Sequence, residues 1–411
     1  MITPGRAVVV GGSLGGLIAA NLLWRAGWDV EIHERAADPL AGRGAGIVTH
    51  PELLEVLACA GVDVSAGLGV HVPARLALGL DGAVIGEIPL PQLLTSWSSV
   101  FAKLRAAFPN DRYHAGSIVR EYENRPDGVR VSFTDGTTQI ADLLVGADGI
   151  RSTIRRSIRP DVEPQYAGYV AWRGTADEAE LSARTRDTLF DRFAFCLPPS
   201  EQMLGYPIAG DGDLVEAGRR RFNFVWYRPV DDAALRAMMT ARDGRHYPDG
   251  IPPHLVEPQW PGQAREDALR LLAPQFVEVV QCAKHLFFQP IYDLASPTLV
   301  DGRVVLLGDA AFVARPHCGM GVTKAGGDAA ALVRVLAEES TLPRALAVYE
   351  VERLAFGTLV LEHARHLGAY MQAQVRTDEE RAMAERYRDV DRILRETAVA
   401  SDVLVAAIQN P

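Results

Sequence analysis

Residues 7–34 restrict the possible folds more than any other stretch of the chain. Residues 7–10 are an uninterrupted apolar run, Gly11-Gly12-Ser13-Leu14-Gly15-Gly16 follows at once, residues 17–25 have helical composition, and Asp29–Glu34 alternates into a second strand. Strand, glycine turn, helix and strand within about 30 residues make a βαβ unit, in which the helix returns the chain so that the two strands lie parallel. The chain therefore opens an α/β fold with a parallel sheet.

The turn also has a chemical use. A helix N-terminus offers unpaired N–H groups and a positive dipole, which suit a pyrophosphate. Gly11, Ser13, Leu14 and Gly16 are the positions expected to meet it. Ser13 stands where a dinucleotide fingerprint usually has its middle glycine, and its small side chain still lets the backbone come close. Glu34, with Arg35 beside it, ends the second strand about 20 residues on, where a carboxylate accepts hydrogen bonds from ribose hydroxyls and repels a 2′-phosphate.

With 411 residues, the chain is long enough for two cores, and 48 % hydrophobic against 23 % charged residues is the balance of a globular protein. A formal charge of −10 argues against nucleic acid as a partner, because phosphate binding needs clustered Lys and Arg, and Arg219-Arg220-Arg221 is too short a run to supply them. The four cysteines, Cys59, Cys196, Cys282 and Cys318, match no zinc or disulfide spacing, so a reducing cytoplasm is expected and no metal site is implied. The first apolar stretch is broken by glycines and is expected to be a strand rather than a signal, and no uncharged run reaches the roughly 18 residues of a membrane span.

Farther along, Asp81-Gly82 and Asp135-Gly136 mark hairpins, the second between strands expected at 129–133 and 139–145. From Tyr166 to about Cys282 the texture becomes that of an antiparallel sheet, with strands expected at 169–174, 189–197, 203–208 and 221–227. The α/β texture then returns at 303–307, and the chain is almost wholly helical in composition from Ala345 onward. The expected division gives residues 1–70, 96–165 and 283–360 to a discontinuous Rossmann-like nucleotide-binding domain. Residues 71–95 and 166–282 form a mostly antiparallel substrate domain, and 361–411 a solvated C-terminal helical segment packed on the body or on a partner subunit.

Two further motifs share the first one's logic of a strand ending in glycine and an acid. One is Gly146-Ala147-Asp148-Gly149 with Ser152 and Arg155 on the helix that follows. The other is Leu306-Leu307-Gly308-Asp309-Ala310-Ala311, then Pro316 and Gly319-Met320-Gly321-Val322-Thr323. In this order and at these separations the three motifs resemble those of the class A flavoprotein monooxygenases of the p-hydroxybenzoate hydroxylase fold, from Arg6 to about Leu361. Within that family the runs at 166–174, 222–227 and 315–317 are most similar to the 2,6-dihydroxypyridine hydroxylases. The chain departs from the family's common pattern at Phe312, Thr323 and Trp97, where His, Asn and Arg are usual.

The resemblance implies FAD as cofactor, NADH or NADPH as co-substrate, molecular oxygen, and a small electron-rich hydroxylated aromatic or heteroaromatic substrate attacked by a flavin hydroperoxide. It implies that Asp148 and Arg155 brace a loop against the FAD pyrophosphate. It also implies that Asp309 binds ribityl hydroxyls, and that Pro316, Gly319, Gly321, Val322 and Thr323 shape the turn at the flavin edge. A homodimer follows by the same analogy. Arg43 is a candidate gate for flavin or nicotinamide, with an ordinary surface role as the alternative. The catalytic candidates are His317, whose imidazole ordinarily titrates near working pH, and Tyr206, as a proton relay; for each a purely structural role stays open. Phe224, Trp226 and Tyr227 either line an aromatic pocket or belong to the core, and Cys318 is read as inert packing. A reductase-type or non-catalytic FAD-binding protein on the same fold is the alternative function.

Overall fold

The computed structural model describes residues 2–38, 46–65, 67–248, 250–400 and 404, and the statements below concern these residues. Their strands form three sheets. The strand Arg6–Val10 lies inside a six-stranded sheet in the order Val300–Asp301, Val304–Leu306, Leu143–Gly146, Arg6–Val10, Asp29–Glu34, Tyr113–Ala115. Its inner pairings are all parallel, as the βαβ reading requires, and only Val300–Asp301 runs antiparallel. Helices such as Leu14–Arg25 and Gly321–Glu338 bury it, which is why its central strands are continuous Val and Leu runs rather than alternating ones. Because Arg6–Val10, Leu143–Gly146 and Val304–Leu306 are adjacent and parallel, the three glycine motifs leave the sheet at the same edge, where ligands of such sheets bind.

The strand expected at 139–145 is two strands. Thr138–Ala141 belongs to a three-stranded antiparallel sheet with Val119–Arg125 and Gly128–Phe133, whereas Leu143–Gly146 enters the parallel sheet. Asp142 is the hinge: its N–H donates to the Arg6 carbonyl (2.8 Å), and its carboxylate accepts from the Arg6 N–H (2.9 Å). Apolar content alone does not reveal where a strand changes partners.

The third sheet has nine strands, in the order Phe312–Val313, Phe287–Ala295, Gln165–Asp177, Arg221–Pro229, Gln202–Ile208, Arg192–Cys196, Val70–Leu78, Val84–Ser96, Gly46–Thr49. It is antiparallel except where Arg192–Cys196 pairs with Val70–Leu78. Strands 46–49, 287–295 and 312–313 come from stretches that the expected division gave to the nucleotide-binding domain. Alternation sorts the side chains into two cores. Tyr169, Ala171, Leu204, Tyr206, Val225 and Tyr227 face one way, and Val170, Trp172, Met203, Phe224 and Trp226 the other, against the helices Gln259–Leu271 and Pro274–Cys282. The aromatic trio of the sequence is thereby divided: Tyr227 takes one face, Phe224 and Trp226 the other.

The C-terminal helices pack on the body by their apolar residues and leave most of their charged ones in solvent. Leu342–Gly368, Asp378–Arg386 and Val390–Glu396 bury Phe356, Val360, Leu367, Tyr387, Ile393 and Leu394 in the core that contains Tyr169 and Tyr206. No helix among the described residues is long and apolar enough to cross a membrane.

Candidate active site and cofactor groove

The first glycine turn cannot accommodate side chains. Gly11 sits at φ +104°, and a Cβ there would meet the Ala147 carbonyl oxygen at 2.4 Å; one on Gly16 would meet the Gly11 oxygen at 1.8 Å. Ser13 precedes the helix Leu14–Arg25 in an extended conformation and spends no side-chain hydrogen bond on capping it, so the first-turn N–H groups stay available. Gly11, Ser13, Glu34, Arg35 and Asp148 line a cavity of about 360 Å³. Leu14 and Gly16 are buried beneath the turn and do not line it. The Glu34 carboxylate accepts from the N–H of Gly12 (2.7 Å) and of Ala36 (2.8 Å), so it fixes the turn as well as facing the cavity.

Asp148 caps the helix Thr153–Ile158, accepting from Ser152 Oγ (2.5 Å) and from the N–H of Thr153 (2.6 Å). Burial pushes its carboxyl up, against the pull of these hydrogen bonds. Arg155 lies one turn on, donating to the carbonyls of Ile150 (2.6 Å) and Ala310 (3.2 Å), and so ties the second motif to the third. Its Nε is buried without a partner.

The third motif rests on a network that sequence reasoning missed. Asp328 accepts from the Gly308 N–H, Lys324 Nζ and Arg353 Nε, each at 2.9 Å, and Lys324 also donates to the Gly308 carbonyl (2.9 Å). All three charged side chains are buried. Burial raises the Asp328 carboxyl, but Lys324 and Arg353 outweigh it and hold the carboxyl below its ordinary range. The signal was present: an i, i+4 Lys–Asp pair on the otherwise small and apolar helix Gly321–Glu338. Above it, Asp309 is exposed by surface area yet lies deep in the fold, because its free surface faces a cavity rather than bulk water. Burial, and then the nearby Asp328 carboxylate, push its carboxyl up while Lys324 opposes them.

That cavity, of about 830 Å³, separates the third motif from the nine-stranded sheet. Asp309, Pro316, His317, Gly319, Gly321 and Val322 line one side, and Phe193, Leu204, Tyr206, Val225 and Tyr227 the other. Gly319 is left-handed at φ +71°, and a Cβ there would lie 2.9 Å from Ala398. Thr323, at the start of the helix, is buried with its hydroxyl unpartnered. Trp97, stacked on Phe101 with ring centroids 4.9 Å apart, lines both cavities.

His317 and Tyr206 do face one cavity. His317 Nε2 lies 2.8 Å from the Tyr169 hydroxyl, whereas Nδ1 is buried without a partner. The expectation that this imidazole titrates near working pH is overturned: burial, with Arg315 and His363, drives its pKa well below the ordinary value, and it stays neutral. Burial raises the Tyr206 pKa, with Arg173 opposing, and the hydroxyl makes no hydrogen bond among the described residues. Burial likewise pushes the Cys318 thiol up to about 11, which removes it as a nucleophile. Arg43 lies outside the described residues.

Glu31, His33 and His114 bring three ligand-type atoms within 4.8 Å of one another beside the smaller cavity. Arg6 (2.9 Å) and Arg112 (3.5 Å) already neutralise the Glu31 carboxylate, which makes the cluster a poor cation site. By contrast, two cavities meeting at Trp97, a glycine cradle without room for Cβ atoms, and the unpartnered Nε of Arg155, which lines the larger cavity, fit an extended flavin dinucleotide, whereas Thr323 lines neither cavity. The adenosine half would lie along Glu34 and the flavin half against Gly319–Thr323.

Comparison with known proteins agrees. Residues 166–293 match a family described as FAD binding domain-like, and residues 260–364 one described as FAD binding domain. The chain is 33 % identical to the 2,6-dihydroxypyridine 3-monooxygenase of Paenarthrobacter nicotinovorans, over 90 % of this chain and 92 % of that protein. It is 32 % identical to the 3-amino-4-hydroxybenzoate 2-monooxygenase of Streptomyces cremeus, over 88 % of this chain and 86 % of the relative. The solved structure of 2,6-dihydroxypyridine-3-hydroxylase from Arthrobacter nicotinovorans superposes with a TM-score of 0.85 at 32 % identity, covering 91 % of this chain and 94 % of that one.

Proposed function

This chain belongs to the family of FAD-dependent monooxygenases of aromatic rings, and from that premise we propose that it uses NAD(P)H and O2 to hydroxylate a small, electron-rich, hydroxylated aromatic or heteroaromatic ring. The observation that carries this reading is the 830 Å³ cavity, whose sheet side is mostly aromatic and apolar, with Arg173 among its lining, and whose opposite side is the glycine turn expected at the flavin edge. Relatives that act on a dihydroxypyridine and an aminohydroxybenzoate support a ring of that size.

FAD, when bound, supplies the two-electron reduction and the activation of oxygen. The chain's part is to hold, orient and dry the ring. Phe193, Leu204 and Val225 offer apolar surface, and the C-terminal segment reaches the same cavity through Ala398. Tyr206, protonated at working pH, is placed to donate a hydrogen bond to a ring oxygen. His317, held neutral, offers Nδ1 while Tyr169 fixes Nε2, so a ring hydroxyl's proton can be shared there without creating a buried imidazolium. Backbone N–H groups at the start of Gly321–Glu338 favour negative charge at the flavin edge.

The test is a panel of hydroxylated pyridines and benzoates scored for stimulated NADH and NADPH oxidation, with product masses checked for one added oxygen. A flavin-loaded protein inert to both nicotinamides with every ring tried refutes the proposal. In His317→Ala the expected result is a lower hydroxylation rate and more hydrogen peroxide per NAD(P)H consumed; unchanged coupling removes His317 from this role.

A further inference from the structure

Arg173 stands on the strand Gln165–Asp177, on the same face as Tyr169 and Ala171, and lines the large cavity. Its neighbours across the sheet are Val225 and Phe287, neither of which can take its charge. Its guanidinium forms no hydrogen bond or ion pair among the described residues, and its Nε is buried without a partner. Other cations nearby are occupied. Arg155 donates to two carbonyls, Arg156 to the Arg151 carbonyl, and Arg75, on the same sheet, to Gln92 and to three carbonyls of the C-terminal segment.

A half-buried cation without a counter-charge is unfavourable, and a planar guanidinium fork matches a planar oxyanion. The surroundings add to this. Tyr206 and Tyr227 line the same cavity, and their hydroxyls, which burial keeps protonated against the opposing pull of Arg173, add no negative charge beside it and can donate to a ligand's oxyanion. We propose that Arg173 selects the substrate by charge: the ring taken into the cavity carries an oxyanion, either a carboxylate or an ionised ring hydroxyl, seated on this guanidinium. This deepens the reading of the cavity as a substrate site and rests on it.

The experiment uses the FAD-loaded protein without nicotinamide and follows perturbation of the flavin absorbance on titration with three probes. These are 6-hydroxynicotinate, 2,6-dihydroxypyridine and the uncharged amide 6-hydroxynicotinamide. The expected result is that Arg173→Met binds at least one of the two acidic probes about 10- to 100-fold more weakly than the unmodified protein, as for the loss of a charge-assisted hydrogen bond. The amide changes by no more than about twofold, and Arg173→Lys, which keeps the charge without the fork, recovers part of the loss. Which acidic probe responds decides between a carboxylate and a ring oxyanion. Equal affinities in Arg173→Met and the unmodified protein overturn the proposal, as does failure of the unmodified protein to bind either acidic probe at millimolar concentration. In a parallel turnover assay with NADH or NADPH and O2, Arg173-dependent binding with no oxygen inserted into any ring of the wider panel leaves the recognition standing and removes the hydroxylase reading. Oxygen insertion with an unchanged KM in Arg173→Met does the reverse.

Discussion

At the scale of single residues, close approach and buried charge dominate. Gly16→Ala places a methyl group against the Gly11 oxygen, so the turn must open, at a cost of about 1–3 kcal/mol for an overpacked site. The purified variant is expected to lose most of its flavin, read from the ratio of flavin to protein absorbance. Asp328→Ala leaves Lys324 and Arg353 buried without their carboxylate and is expected to destabilise the fold by about 3–5 kcal/mol in denaturant unfolding; a loss under about 1 kcal/mol would show that the network carries little. His33 gives the pH dependence its sign. Burial and the neighbouring His114 lower its pKa from 6.5 to about 4, so the folded protein takes up its proton later than the unfolded chain as the pH falls. Its contribution is therefore complete above about 6.5 and is lost toward 4, by roughly 3 kcal/mol in total. Unfolding free energies measured across that interval should fall less steeply in His33→Gln, whose amide can still reach Ser117 and Gln139.

At the scale of elements, the C-terminal segment is a wall of the site. Arg75 is fully buried and donates to the carbonyls of Leu394, Thr397 and Ala398, while the Ala398 N–H donates to the His317 carbonyl (2.8 Å) and Ala398 itself lines the large cavity. Burial lowers the Arg75 pKa to about 9, and no carboxylate offsets it, so the segment's carbonyls are what solvate the charge. Arg75→Met orphans those carbonyls at about 1–3 kcal/mol each. The expected consequence is faster proteolytic cleavage within 388–400 and a larger share of reducing equivalents lost as hydrogen peroxide. Cleavage at the original rate would mean that apolar packing of Ile393 and Leu394 holds the segment without the arginine.

For the whole molecule, FAD seated in both cavities would reach from the edge of the parallel sheet to the nine-stranded sheet and tie the two together. A ligand bound only by the folded state stabilises it by RT ln(1 + [L]/Kd), about 2.7 kcal/mol at 100 times Kd. Adding FAD to flavin-stripped protein should raise the melting temperature and merge any separate transitions into one. An unmoved melting curve would contradict the assignment of both cavities to one dinucleotide.

Much of this was legible in advance, because the information was local. A strand, a glycine turn and a helix announce themselves within a short stretch, and three such units in order implied the parallel sheet, the three turns at one edge and the acids Glu34, Asp148 and Asp309. What the sequence could not contain was the pairing of distant segments. The change of partners at Asp142, the recruitment of residues 46–49 into the far edge of the large sheet, and the support of Gly308 by Asp328 depend on which strands and helices meet. So does the protonation of His317. Its ordinary pKa belongs to the side chain, and Arg315 is a neighbour in sequence, but the burial that chiefly lowers the pKa, and the approach of His363, come only with the folded chain.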